Sequence, residues 1–377
     1  MKWKRIDLLA LKFNAWDRDC FIEEAVSYSK NSMVFFFDFD KVSLEYKPEN
    51  INFTLKVIKY VKFKNVWLNN AVNPIFSLIN VAIFMFLFGF LCLRYRPKVC
   101  WIDHTWPAVI TGLMKRLGIC NYSIYTPSDW LATNQKQSSI RYFANNVLWP
   151  FMDYLACRLN DNVLNLTHEI GEARYKYWGR SVARREGIDF RHMKIKNDLI
   201  NRNRNKICFL GRVQDDSGLD VVISTMREIW EEHGIMLKIV GPARPAFEKL
   251  KEVVKAYNAQ EFVEISGFVE ADKLYEFLSN CFCGIHLINS TNSHTIYTIS
   301  GKLIQYIQLL MPVIVTKNIG PFHKLIQQYE IGKVIEPERE EICNSVEHLY
   351  KNLERYQENI RKFMSSMPIK KIKDYIL

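Results

Sequence analysis

At 377 residues the chain is long enough for two domains with full cores, and its 49% apolar and 24% charged residues exclude a disordered or fibrous protein. The formal net charge of +11 points to an acidic partner. No RNA- or DNA-binding motif is present, so nucleic acid is set aside in favour of anionic lipid or a phosphorylated substrate. Nine cysteines without disulfide-framework, zinc-ligand or redox spacing read as free thiols in a reducing cytoplasm, Cys281 and Cys283 being the one close pair.

The basic start of the chain is followed by only a short apolar run before Asp17, too little for a signal peptide. Ile6–Leu11 reads as a strand, Cys20–Ser29 as a helix and Met33–Phe37 as a second strand, the opening of an α/β domain. The loop from Lys12 to Asp19 lies where open α/β sheets place ligands, but it has no glycine-rich fingerprint, and no dinucleotide site is expected there. Lys56, Lys59, Lys62 and Lys64 are interleaved with Val57, Ile58, Val61 and Phe63. Such a stretch is either a solvated face beside a core face or a contact for anionic headgroups, each lysine near a membrane surface contributing about 1 kcal/mol.

Pro74 to Leu93 carries no charged residue and is long enough to span a bilayer, and Arg94, Arg96 and Lys98 follow at once. A span would separate the first two strands from the next one, Val99–Asp103, and break the domain. The expected arrangement is therefore a helix packed on the sheet with its outer face in the bilayer interface, Phe84 and Phe86 among its anchors. His104 stands at the carboxyl end of the strand. A helix from Pro107 to Leu117, a strand over Tyr122–Thr126 with Asp129 in the loop after it, and a strand over Val163–Leu166 leading through His168 and Glu169 into a helix ending at Trp178 complete a parallel sheet.

Phe190–Lys206, with its NRNRNK run, reads as a linker. A second alternation follows. Strands over Ile207–Leu210, Met236–Val240, Val263–Ser266 and Phe282–Ile288 are separated by helices over Leu219–His233, Ala246–Tyr257 and Ala271–Asn280. The first three strands end in Gly211, Gly241 and Gly267. Ser300 is placed to cap a helix carrying Leu303, Tyr306, Ile307 and Leu310 at helical spacing, which Pro312 stops before the strand Val313–Val315. Lys302 falls in the first turn, where the helix dipole disfavours a cation. A lysine there makes sense if an anion shares the site, since free N–H groups and an ammonium together hold phosphate. Val334–Ile335 is a last strand and Glu338–Met364 one long charged helix. The expected division is 1–190, a linker over 191–206, a second domain over 207–364 and a basic tail over 365–377.

Two doubly wound Rossmann-like α/β domains, a linker and a closing helix resemble the GT-B architecture. The second half resembles the group 1 family of retaining GT-B glycosyltransferases. Phe209-Leu210-Gly211-Arg212 looks like that family's strand and Gly-Arg turn, and Ser217-Gly218-Leu219-Asp220 like its Lys-Gly-Leu-Asp. Ile239-Val240-Gly241 and Ser266-Gly267-Phe268-Val269 match its next strand ends, and Ser300–Thr316 its Lys-x-x-Glu-Tyr segment running into Pro-Val-Ile. Asp103-His104 and Glu186-Gly187-Ile188-Asp189 fit more loosely.

The resemblance implies a nucleotide-sugar donor, no other cofactor and no metal. Arg212 and Lys302 would hold the diphosphate, with Gly211, Gly241 and Ser300 around it. Backbone at Gly267 and Phe268 would meet the base, Gln305 the ribose, and His104 the acceptor side. Fixed cations suit a leaving group that gains negative charge. Of the family's two glutamates, eight residues apart, one is Tyr297 here and the other Gln305, which keeps an acceptor oxygen without the charge. Its lysine is Ser217, and Leu310 or Met311 replaces its glycine. An atypical donor, a divergent subgroup and a chain that has lost catalysis all fit those changes. The reading is a glycosyltransferase on the cytoplasmic face of the membrane, acting on a lipid-linked or growing glycan acceptor. The alternative is a non-catalytic GT-B partner in a glycan-assembly complex.

Overall fold

The computed structural model describes residues 6–13, 26, 29–38, 41–47, 51–56, 82–127, 147–178, 195–199, 205–211, 218–241, 246–267, 269, 271–288 and 297–366. The chain divides into two units, Met1–Glu186 with Lys370–Leu377, and Gly187–Ile369.

The first unit is built on a seven-stranded sheet in the order β4-β3-β2-β1-β5-β6-β7. The strands are β1 (Leu8–Phe13), β2 (Ser32–Asp38), β3 (Lys41–Lys47), β4 (Ile51–Lys56), β5 (Val99–Ile102), β6 (Tyr122–Tyr125) and β7 (Asn162–Val163). From β2 to β7 the neighbours are parallel. Both faces of β1 are covered, Leu9 and Leu11 in one core and Leu8 and Ala10 in the other, which is why it reads as an unbroken apolar run. β3 and β4 extend the sheet antiparallel beyond β2. The sequence reading lacks these two strands, although Val42, Leu44 and Tyr46 alternate with polar residues and Pro48-Glu49-Asn50 is turn-forming. Apart from residues 26 and 29, the helix expected over 20–29 lies outside the described residues, as do Lys59, Lys62, Lys64 and Asp129.

Residues 82–95 form helix α1, the described part of the charge-free stretch. Phe84, Phe88 and Cys92 are buried, whereas Ile83, Phe86, Phe90 and Leu93 are exposed, Phe86 by 74%. Phe84 is thus core and not an outer anchor. Two helical residues apart, its side chain and that of Phe86 point about 200° from each other. Among the described residues no helix is long and apolar enough to cross a membrane. Helices α2 (Thr105–Arg116), α3 (Trp149–Leu159) and α4 (His168–Trp178) follow, α3 being absent from the sequence reading.

The second unit holds a fully parallel six-stranded sheet in the order β10-β9-β8-β11-β12-β13. Its strands are β8 (Lys206–Leu210), β9 (Met236–Val240), β10 (Val263–Ile265), β11 (Cys281–His286), β12 (Val313–Val315) and β13 (Gly332–Val334). Counted from its own first strand the order is 3-2-1-4-5-6, that of a doubly wound nucleotide-binding sheet, and the winding reverses between β8 and β11. Helices α5 (Leu219–His233), α6 (Ala246–Ala256) and α10 (Arg339–Lys351) cover one face. Helices α7 (Ala271–Leu278), α8 (Gly301–Gln308) and α9 (Phe322–Gln328) cover the other.

The single helix expected over Glu338–Met364 is two, α10 and α11 (Leu353–Ser366). Asn352 leaves helical geometry at φ −116° and ψ 25°, and its backbone N–H and side-chain amide both donate to the His348 carbonyl. The break lets α11 place Tyr356 in one core and Ile360 and Phe363 in the other.

Helix α8 ends in a Schellman turn. The Met311 N–H donates to the Tyr306 carbonyl at 3.0 Å and the Leu310 N–H to the Ile307 carbonyl at 2.9 Å. The residue that must turn left-handed is Leu310, at φ +53°, one of the two positions at which the resemblance implies a glycine. A non-glycine residue there costs about 1–2 kcal/mol, which its complete burial offsets. Urea denaturation is expected to find Leu310→Gly about 1 kcal/mol more stable than Leu310→Ala, the reverse of the order at ordinary helical positions. Equal stability of the two variants would show that the turn carries no strain.

Candidate functional site

Open α/β sheets bind ligands beyond the carboxyl ends of their strands, at the point where the winding reverses. In the second unit that point lies between the ends of β8 and β11. Three glycines line the strand ends there: Gly211 at φ +113°, Gly241 at φ +106° and Gly267 at φ +64°. The Gly211 N–H donates to the Val240 carbonyl at 2.7 Å and the Gly241 N–H to the Gly267 carbonyl at 2.6 Å, so the three turns are laced together. A side chain on Gly241 would come within 3.1 Å of the Gly211 Cα.

Lys302, in the first turn of α8, lies across Gly211. A Cβ on Gly211 would overlap the lysine Cε and come within 2.7 Å of its Nζ. The lysine is held there by Tyr306, one turn further along α8. The Tyr306 ring lies against Gly284 of β11, where any side chain would collide with it. Its hydroxyl donates to the Cys208 carbonyl at 3.2 Å and accepts the Leu210 N–H at 2.8 Å. One buried tyrosine therefore fixes the height of α8 against the end of β8 and, with it, the place of the ammonium.

The structure thus brings together Gly211, Gly241, Gly267 and Lys302. Ser300 stands at the N-cap position with extended backbone, but its side chain makes no capping bond to the first turn, contrary to the sequence expectation. Gln305 and Tyr297 are half-buried. Arg212, Ser217 and Phe268 lie outside the described residues. Sequence reasoning missed His286, at the end of β11. It is only 6% exposed, and burial, reinforced by the charge of Lys302, holds its imidazole down to about 3. The signal was a lone polar residue inside CFCGIHLI.

In the first unit His104 takes the N-cap position of α2 with no side-chain capping bond, and its carbonyl accepts the Ala108 N–H at 3.1 Å. Burial holds the imidazole of this partly buried residue down to about 4. The next residue, Thr105, meets the Tyr125 hydroxyl at 2.7 Å, and Tyr125 donates to Asp153 at 2.9 Å. Asp153 also receives the Arg174 guanidinium through Nε at 3.0 Å and Nη2 at 3.1 Å, and Trp178 Nε1 at 3.2 Å. Arg174 reaches Asn165 at 2.8 Å. This sealed network ties the ends of β6 and β7 to α3 and α4, and the start of α2 is anchored on it. His168 is an exposed residue 3.7 Å from Glu172 of its own helix. Among the described residues no three His, Cys, Asp or Glu side chains are grouped as a metal site.

Residues 191–363 match the family described as Glycosyl transferases group 1. The C-terminal half is a glycosyl transferases group 1 domain. A curated relative, the 2-deoxystreptamine N-acetyl-D-glucosaminyltransferase of Niallia circulans, is 27% identical over 128 residues, 34% of this chain and 31% of that protein. The match thus spans about a third of that relative's length. HepE of Anabaena, solved in complex with UDP, superposes with a TM-score of 0.63 at 14% identity over 95% of this chain and 94% of its own. Sucrose-phosphate synthase of Thermosynechococcus elongatus gives 0.67 at 14% identity over 96% and 94%. The group 1 domain and the first unit together therefore have the GT-B fold.

The depressed histidine of the group 1 domain has a consequence for stability. Unfolded, His286 titrates near 6.5, and folded near about 3, so its contribution is whole above pH 6.5 and is lost as pH falls toward 3. From pH 7 to pH 5 this side chain alone removes about 2 kcal/mol of stability. Urea titrations at the two pH values are expected to show a smaller acid loss for His286→Gln than for the wild-type chain by that amount. Equal losses would place the imidazole in contact with solvent.

Proposed function

We propose that the chain is a glycosyltransferase that takes its sugar from a nucleotide diphosphate sugar. The observation that carries this reading is the Lys302 ammonium standing across Gly211 at the switch point of the group 1 domain. As the glycosidic bond to the donor breaks, the departing diphosphate gains charge. A fixed cation and the open N-terminus of α8 stabilise that charge without reorganising, and Arg212, next in sequence to Gly211, supplies a second cation in this reading. UDP is the leading nucleotide, because the superposing HepE was solved with it.

The reaction retains the anomeric configuration and needs no metal. A departing phosphate takes the acceptor proton, and no strong protein base is required. His104 fits this scheme as a neutral hydrogen-bonding group beside the acceptor, since an imidazole held near about 4 is a weak base at neutral pH. The acceptor is lipid-linked or a growing glycan, and the enzyme works on the cytoplasmic face of the membrane. Supporting this, α1 turns Ile83, Phe86, Phe90 and Leu93 outward, with Arg94 and Arg96 next in the chain. Lys98, expected to share that role, is paired with Asp7 at 2.7 Å.

Calorimetry with UDP is expected to show Lys302→Ala and Arg212→Ala each weakening binding by about 1.5–3 kcal/mol, the range for hydrogen bonds to charged groups. Unchanged affinity in both variants would remove the assignment. No binding of UDP, GDP, CDP, ADP or dTDP by the wild-type chain would favour the non-catalytic reading, for which Tyr297 and Gln305 in place of glutamates speak.

Sedimentation with vesicles of anionic lipid tests the membrane face. The double variant Phe86→Ser, Phe90→Ser is expected to bind at least tenfold more weakly, each phenylalanine contributing about 1.5–3 kcal/mol when buried, and to melt as the wild type does. Phe84→Ser is expected to lower the melting temperature instead, because Phe84 is core. Equal vesicle binding by the double variant and the wild type would discard this face as the attachment.

A further inference from the structure

The end of β11 carries a polar side chain, His286, in an otherwise apolar run. Cys283, Ile285 and Leu287 belong to one core, and Gly284 lies on the opposite side beneath the Tyr306 ring. His286, two residues past Gly284, is on the Gly284 side and nearer the strand's carboxyl end. Helix α8 runs back over the sheet between two parallel strands, so Lys302, four residues before Tyr306, is displaced in the same direction. The two displacements match: two strand residues advance about 6.6 Å and four helical residues about 6 Å. With Tyr306 seated on Gly284, Lys302 stands over His286.

His286 is 6% exposed, and among the described residues its ring has no hydrogen-bond partner. Surrounded by low-polarity core and facing a lysine, the ring is neutral at physiological pH and offers one N–H and one lone pair. Both the place and the lone pair suit the ammonium above it.

We propose that His286 is a positioning residue of the diphosphate site. When a nucleoside diphosphate is bound, a ring nitrogen of His286 accepts a hydrogen bond from the Lys302 ammonium and holds it across Gly211, where the anion meets it. The inference rests on the donor-site reading above and adds to it a residue that acts through Lys302 and not on the nucleotide itself.

A double-mutant cycle measured by calorimetry with UDP tests it, each variant being checked by thermal melting. His286→Leu removes the acceptor and is expected to weaken UDP about tenfold. His286→Asn and His286→Gln carry an amide oxygen near the positions of the two ring nitrogens, and one of them is expected to recover most of the loss. In a Lys302→Met background His286→Leu is expected to cost nothing further, because the group it positions is gone. Additive losses in the cycle would overturn the proposal, as would failure of both amides to rescue a folded protein. Undiminished UDP affinity in His286→Leu, with Lys302→Met weakened, would overturn it while leaving the donor site standing. Equal binding by wild type and Lys302→Met would take down the donor-site reading itself, and this inference with it.

Discussion

The second unit depends on one contact, the Tyr306 ring lying on the bare backbone of Gly284 with its hydroxyl bridging the Cys208 carbonyl and the Leu210 N–H. A phenol that buries its whole ring and satisfies both hydrogen-bonding capacities on the backbone of the first strand leaves α8 a single seating height. That height brings Lys302 across Gly211 and over His286, and it makes the glycines at 211 and 284 obligatory. Downstream, the same seating forces the chain to leave α8 through a left-handed residue at Leu310 to enter β12 in register with β11.

The electrostatics follow from this geometry. A cation at the start of a helix is disfavoured by the dipole and by desolvation unless an anion joins it. The imidazole of His286, whose protonation the charge of Lys302 opposes, is kept neutral. In the first unit His104 is likewise kept neutral, and the charges are locked away in the Asp153–Arg174 pair, which holds strand and helix ends. The Asn165 side-chain nitrogen is the one buried polar atom among the described residues without a partner.

Much of this was legible because parallel strands covered on both faces read as apolar runs, and because glycine at a strand end announces a turn that only it makes easily. Gly211, Gly241, Gly267 and Lys302 carry such local signals. His286 does not: a lone polar residue in an apolar run has no periodicity to place it, and only the pairing of β11 with β8 reveals what lies above it. The phase of α1 was hidden for a related reason. Where both faces of a helix are apolar, hydrophobicity cannot tell Phe84, which is core, from Phe86, which is exposed. The break at Asn352 was masked because the flanking residues keep helical charge spacing across it. β3 and β4 were passed over, although longer than several strands that were read, because their alternation becomes informative only once they are taken as a pair.

The Tyr306 hydroxyl spans 96 and 98 residues of sequence to reach its partners. Contacts of that separation are slow to form, because a long loop must close before any of them offsets the entropy lost. The seating of Tyr306, and the place of the lysine that depends on it, therefore rests on contacts that close late compared with the helices themselves. A chain growing from its N-terminus cannot seat α8, and with it Lys302, until residue 306 is available. A ligand held by Lys302 would recognise only a domain in which that long-range seating has formed, and would stabilise it against local opening.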